Sequence, residues 1–178
     1  MKFYYTLLLF LVVLLNGCSA SITDFKDSSP ELKLEQFFNG QLRAHGMVQD
    51  RSGKITGRFS VNMVGRWQGN SGVLEEDFIW DDGRKQQRIW YLTKTADNRY
   101  TGTASDVIGT AVGTTAGNAL NWKYQLSVPT DYGELDISLD DWMYLLDNKR
   151  MFNRTKMTYF GFYVGELTLY IEQIQPVD

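Results

Sequence analysis

From Gln41 onward, apolar and polar residues alternate along one segment after another, with turn residues between them. Phe59, Val61, Met63, Gly65 and Trp67 share one parity, and Arg58, Ser60, Asn62 and Arg66 the other. Leu120, Trp122, Tyr124, Leu126 and Val128 alternate with Asn121, Lys123, Gln125 and Ser127. The same holds for Leu135, Ile137 and Leu139, and for Leu167, Leu169 and Ile171. A period of two marks strands with one buried face. The interruptions are turn chemistry: Asp50-Arg51-Ser52-Gly53, Gln68-Gly69-Asn70-Ser71-Gly72, Asp81-Asp82-Gly83, Asp97-Asn98 and Thr130-Asp131-Tyr132-Gly133. The pattern predicts nine or ten strands, near 41–49, 54–67, 73–80, 84–94, 98–105, 110–115, 119–128, 134–142, 151–160 and 164–175. Tight turns make them an antiparallel meander, and a meander this long closes to remove its edges. The expected fold is all-β: an up-and-down barrel of the lipocalin or calycin type. A β-sandwich or an open half-barrel with a partner is the alternative.

The chain before the strands reads differently. Met1-Lys2 is followed by an apolar run from Phe3 to Leu15, too short to span a bilayer, which needs roughly 20 residues. It fits the apolar core of a secretory signal. Leu15-Asn16-Gly17-Cys18 then resembles the lipobox of bacterial lipoproteins. The resemblance implies cleavage after residue 17 and lipidation of Cys18, the chain's only cysteine. With Ser19 rather than Asp after it, the resemblance also implies an outer-membrane anchor facing the periplasm. Residues 18–29 read as lipidated Cys and tether, and 30–178 as one domain. A single short helix is expected ahead of the strands, capped by Ser29 with Pro30 in its first turn. Leu34, Phe37 and Phe38 form its apolar stripe, and Gly40 its stop.

Composition removes several functions. One Cys and one His exclude a disulfide framework, Cys/His zinc sites, haem and iron–sulfur ligation. A net charge of −3 leaves no basic surplus for a nucleic acid backbone. No cofactor, metal site or catalytic set is expected. His45 has no nucleophile motif near it, and Gly69-Asn70-Ser71-Gly72 is a turn rather than a hydrolase elbow.

The candidate site residues are those a barrel interior would use to hold an amphiphile. Five tryptophans supply bulk, with Trp67, Trp90, Trp122 and Trp142, together with Tyr124, as candidate cavity walls. Arg88 shares a parity with Trp90, so it lines the cavity if Trp90 does, and could then hold a carboxylate or phosphate head. In the acidic runs at 75–77, 81–82 and 140–141, adjacent carboxylates point to opposite faces. Asp141 continues the buried face of Leu135, Ile137 and Leu139 and needs a partner there, Arg154, Arg88 or Arg66. That pair is either structural or ligand-orienting. Gly109, Gly113 and Gly117 mark a flap or bent strand at the barrel mouth.

Further motifs run the length of the domain. They are Phe38-x-Gly40, Gly46, Gly65-x-Trp67, Asp82-Gly83, Arg88-x-Trp90, Tyr100-x-Gly102-x-Ala104-x-Asp106-Val107-x-Gly109, Gly117-Asn118-Ala119-x-x-Trp122-x-Tyr124, Asp140-Asp141-Trp142-Met143 and Asn153-Arg154-x-x-Met157. Over roughly 38–175 the chain resembles the DUF3833 family of proteobacterial lipoproteins. The resemblance implies a lipoprotein and associates it with fatty-acid modification. The leading expectation is thus a lipid-anchored periplasmic protein binding a fatty acid or other lipid. The alternatives are an envelope interaction module, docking through a sheet edge or aromatic patch, and an enzyme acting on lipid through Asp141 and Arg154.

Overall fold

The computed structural model describes residues 20–130 and 133–174. The run read as a secretory signal, and Cys18, lie outside the described residues.

The ten expected strands form, each within a few residues of its expected bounds. They are β1 (Gly40–Asp50), β2 (Ile55–Gln68), β3 (Ser71–Trp80), β4 (Lys85–Ala96) and β5 (Arg99–Thr103), then β6 (Ala111–Ala116), β7 (Ala119–Thr130), β8 (Gly133–Leu145), β9 (Arg150–Tyr159) and β10 (Phe162–Gln173). Each pairs antiparallel with the next, and β10 returns to pair with β1, closing the barrel. The sandwich and half-barrel alternatives are therefore excluded. Closure also leaves the described sheet without a free edge, which removes the edge-docking version of the interaction module.

The two ends of the barrel differ. One is stoppered by the segment before β1. The helix there is shorter than expected: a single turn, α1 (Leu34–Phe37), with Lys33 rather than Ser29 as its N-cap. The Leu32 N–H donates to the Gly117 carbonyl at 2.8 Å, which holds the preceding residues extended against the barrel instead of in a helix. Leu32, Leu34, Phe37 and Phe38 are all buried. The stopper is fastened on several sides. Trp67 Nε1 on β2 donates to the Phe38 carbonyl at 3.1 Å. Gln173 Nε2 on β10 donates to the Phe37 carbonyl at 2.8 Å. Lys94 on β4 and the Tyr100 hydroxyl on β5 both bond Glu35, at 2.6 and 2.7 Å. Burial would raise the Glu35 carboxyl, but these two hydrogen bonds outweigh it and hold it below the usual range. Gly65 is required here, because a Cβ at that position would stand 1.9 Å from the Phe38 carbonyl oxygen.

The segment expected as a tether is also docked in part. Ser21 heads a 3-10 turn, Ile22–Phe25, in which its backbone N–H bonds Asp24 at 2.8 Å. Phe25 packs on Trp142 and Tyr144, with ring centroids 5.9 and 5.5 Å apart. Ser28 Oγ bonds Asn118 at 2.7 Å. Aromatic burial and these polar contacts strap the stretch to the outside of β8 near the stoppered end.

Candidate functional site

Toward the other end the barrel is hollow. A cavity of about 640 Å³ runs from Phe38 and Leu34 at its floor to Trp80, Arg84 and Pro129 at its mouth. Its walls are mainly apolar, from Val61 and Met63 on β2 round to Leu167 and Leu169 on β10. Near the floor the Trp90 ring meets Trp122 edge-on at 5.8 Å and Tyr124 at 5.4 Å. A glycine makes room for this cluster: at Gly113 a Cβ would lie 2.2 Å from the Trp122 ring.

Polar side chains form a band inside this apolar wall. On β3 and β4, Glu76 and Arg88 are register partners with inward-facing side chains. Arg88 does not reach out to the cavity as a free cation. Its Nε lies 3.0 and 2.9 Å from the two carboxylate oxygens of Asp106, and Nη2 bonds Oδ2 at 2.7 Å. Such a fork is the strong form of the Arg–carboxylate contact. The aromatic rings of Phe78 and Trp90 lie 5.6 and 6.0 Å from the guanidinium carbon. Glu76 Oε2 stands 3.8 Å from Arg88 Nη1, an ion pair beyond hydrogen-bond length, and is buried without a hydrogen-bond partner. Burial pushes the Glu76 carboxyl up to about 7, with Arg88 drawing it back and Asp106 adding to the rise.

Around the barrel, Asp141 on β8 is 4% exposed. Asn153 Nδ2 and the Thr155 hydroxyl on β9 both donate to its Oδ1, the latter at 3.0 Å. Burial pushes this carboxyl also to about 7; the two donors oppose that rise, while Glu76 and Asp140 add to it. Tyr124 on β7 lines the same cavity, and its phenol is raised by burial and then by Asp141.

Of the residues expected from sequence, Arg88, Trp90, Trp122, Tyr124 and Asp141 meet in this cavity. Trp67 faces inward but sits at the stopper, where its indole bonds the Phe38 carbonyl. Trp142 faces outward under Phe25, since it follows inward-facing Asp141 on one strand. Arg154 is outward as well, its side chain 68% exposed and bonded to Glu166 at 2.7 Å. The expected Asp141–Arg154 pair is therefore absent, and Arg66 is likewise outside, on Glu75. An enzyme built on that pair loses its geometry.

The glycine segment is not a flap. Residues 111–116 are β6, hydrogen-bonded on both sides to β5 and β7. Gly117 occupies a tight turn against the Phe25 carbonyl. Only Gly109, at φ 71°, lies in the loop between β5 and β6. That loop is zipped to β7 by Ile108 N–H to the Gln125 carbonyl and Ser127 N–H to the Asp106 carbonyl, each 2.9 Å. The zipping places Asp106 over Arg88.

Glu76, Asp106, Asn153 and Thr155 are site residues that the sequence reading did not single out. Glu76 had a signal: it shares the parity of Leu74, Phe78 and Trp80. Asp106 stood only within the Tyr100–Gly109 motif, which gave it no place in the fold; it is a loop residue brought back by tertiary pairing.

At the mouth end the β9–β10 hairpin tip is apolar and exposed, with Phe160 84% and Phe162 78% accessible.

A closed up-and-down β-barrel holding an apolar cavity with an internal polar band is the architectural class of the protein. Within it, the chain belongs to the DUF3833 family, a family of unknown function whose profile matches residues 12–173. No curated protein matches the chain. A protein of unknown function from the DUF3598 family of Nostoc punctiforme is similar in fold. Its TM-score is 0.55 at 10% identity over 82% of this chain and 51% of that one, so this chain spans about half its length. EF1p2_mFAP2b bound to DFHBI matches at TM-score 0.43 and 8% identity, over 80% of this chain and 100% of that one. The ywiB protein from Bacillus subtilis matches at 0.37 and 16%, over 76% and 91%. The last two are too distant to support any argument.

Proposed function

We propose that this protein is a periplasmic lipoprotein, anchored in the outer membrane through Cys18, that binds a single amphiphilic lipid in its barrel. The observation that carries the binding reading is the cavity of about 640 Å³ with mainly apolar walls, stoppered at one end. Such dimensions and lining suit one small apolar ligand. Burial of the tail would supply roughly 25 cal/mol per Å² of apolar surface. The signal-like run and the lipobox-like Leu15-Asn16-Gly17-Cys18 support the anchor.

The test is native mass spectrometry of the mature chain carrying Cys18→Ser, purified from its host envelope without detergent. A stoichiometric lipid adduct is expected. An apo mass that takes up none of a set of added lipids overturns the reading. A second reading, docking to an envelope protein, is favoured by the exposed tip at Phe160 and Phe162. Under it, Phe160→Ser with Phe162→Ser would abolish a crosslinked partner while leaving lipid uptake unchanged.

A further inference from the structure

Resting on the cavity reading, we infer that the ligand enters head first and that its head group donates hydrogen bonds and carries no negative charge, a protonated amine fitting best. The expectation from sequence was the reverse, with Arg88 receiving an anionic head. Arg88 is engaged by Asp106 through both Nε and Nη2, so an anion could win it only by displacing that carboxylate. The other donors of the band are also engaged. The Asn153 amide and the Thr155 hydroxyl both point to Asp141 Oδ1. At the mouth Arg84 is tied to Asp82 at 2.6 Å, and the one buried donor there without a hydrogen-bond partner among the described residues, the Trp80 indole N–H, lies four residues above the band along β3.

The acceptors, in contrast, are in surplus. Glu76 Oε2 is buried with no hydrogen-bond partner, its nearest cation being Arg88 Nη1 at 3.8 Å. Asp141 receives both its side-chain hydrogen bonds on Oδ1, leaving Oδ2 for the cavity it lines. Three carboxyl groups, Glu76, Asp106 and Asp141, share the band with one buried guanidinium. An added carboxylate or phosphate would deepen this excess in a poorly solvated space, where like charges repel strongly. An amine would fill the orphaned acceptor and balance the charge. Tyr124 can either donate or accept and does not discriminate.

The orientation follows from depth. Glu76 lies four residues below Trp80 along β3, about 13 Å at the usual rise per residue. The wall between them and the mouth is apolar, including Phe78, Leu167 and Leu169. A head group in the band therefore leaves its tail lying along that wall toward the mouth.

The experiment uses the mature chain with Cys18→Ser and the neutral fluorescent probe N-phenyl-1-naphthylamine. Dodecylamine, dodecanol and dodecanoate, all below their micelle concentrations, compete for the probe at about pH 8.5, where Glu76 and Asp141 are ionised and the amine is still protonated. The amine is expected to displace it about tenfold or more better than the carboxylate, with the alcohol between them. Glu76→Gln with Asp141→Asn should shrink the amine's advantage to about threefold or less, each competition being read against that variant's own probe affinity. Dodecanoate binding as well as or better than the amine overturns the head-group inference but leaves the cavity reading standing. Failure of the probe and all three chains to bind overturns the cavity reading itself. The ligand series on otherwise unaltered protein decides the matter even if the double variant does not fold.

Discussion

The two ends of this barrel are built from the same alternating strands yet hold opposite interiors. At the stoppered end Leu32, Phe37, Leu42, Tyr100 and Met151 are each within a few per cent of complete burial. Toward the mouth the same strands enclose empty space and a set of carboxyl groups. The difference comes from what lies inside the ring. A segment from outside the sheet fills one end, and nothing from the described chain fills the other. Stability is therefore concentrated at one end, and binding capacity at the other, with the polar band at the boundary.

The sharpest way to break that division is to remove the cation of the band. Arg88→Ala leaves Glu76 and Asp106 facing each other in a poorly solvated space, and should cost about 3–5 kcal/mol in denaturant unfolding. Arg154→Ala, which removes an exposed partner of Glu166, is the matching control and should cost under about 1 kcal/mol. Near-equal losses would mean that the interior pair is no more committed than the outer one.

Next in size is a paired truncation. Leu42→Ala at the packed end should cost about 2–5 kcal/mol, because it opens a void among close-packed neighbours. Leu167→Ala on the cavity wall should cost about 1 kcal/mol, since its tip already borders empty space. Equal Tm shifts for the two would contradict a packed end and a hollow one.

A third comparison is a pH slope. Glu76 and Asp141 both titrate near 7 in the folded protein, against 4.5 and 3.8 when unperturbed. Between those limits the folded state holds more protons than the unfolded state, so stability falls as pH rises from about 4 to about 7 and levels off above that. Asp141→Asn should flatten part of that fall, seen in denaturant midpoints at about pH 5 and about pH 8. A wild-type midpoint that does not change over that range would place both carboxyls in solvated surroundings.

Much of the fold was legible because alternation reports faces directly. The strands were visible in it, and so was the inward parity of Trp122 and Asp141, whereas on β4 the pattern left open whether the face of Trp90 or that of Ile89 turns inward. Parity says nothing of height along the barrel axis, which is why Trp67 could be read as a cavity wall when it braces the stopper. β9 carries polar side chains on both faces, with Asn153 and Thr155 inward and Arg154 outward, so its pattern could not assign Arg154. Trp142 was on the outward parity of its strand, and its aromatic bulk is explained only by Phe25 covering it. Asp106 depends on the β5–β6 loop zipping to β7, a tertiary event that local sequence does not encode.

The uneven lengths of the strands carry a dynamic consequence. A closed ring has no end from which to fray, so breathing must begin where its hydrogen-bonded seams are shortest. β5 and β6 are five and six residues long, against twelve and thirteen for β7 and β8. The loop between β5 and β6 carries Asp106, the carboxylate that holds Arg88. The joint with the fewest rungs therefore sits beside the counterion of the cavity's buried cation, and a momentary parting there would change the charge met by a visiting molecule without any other strand moving.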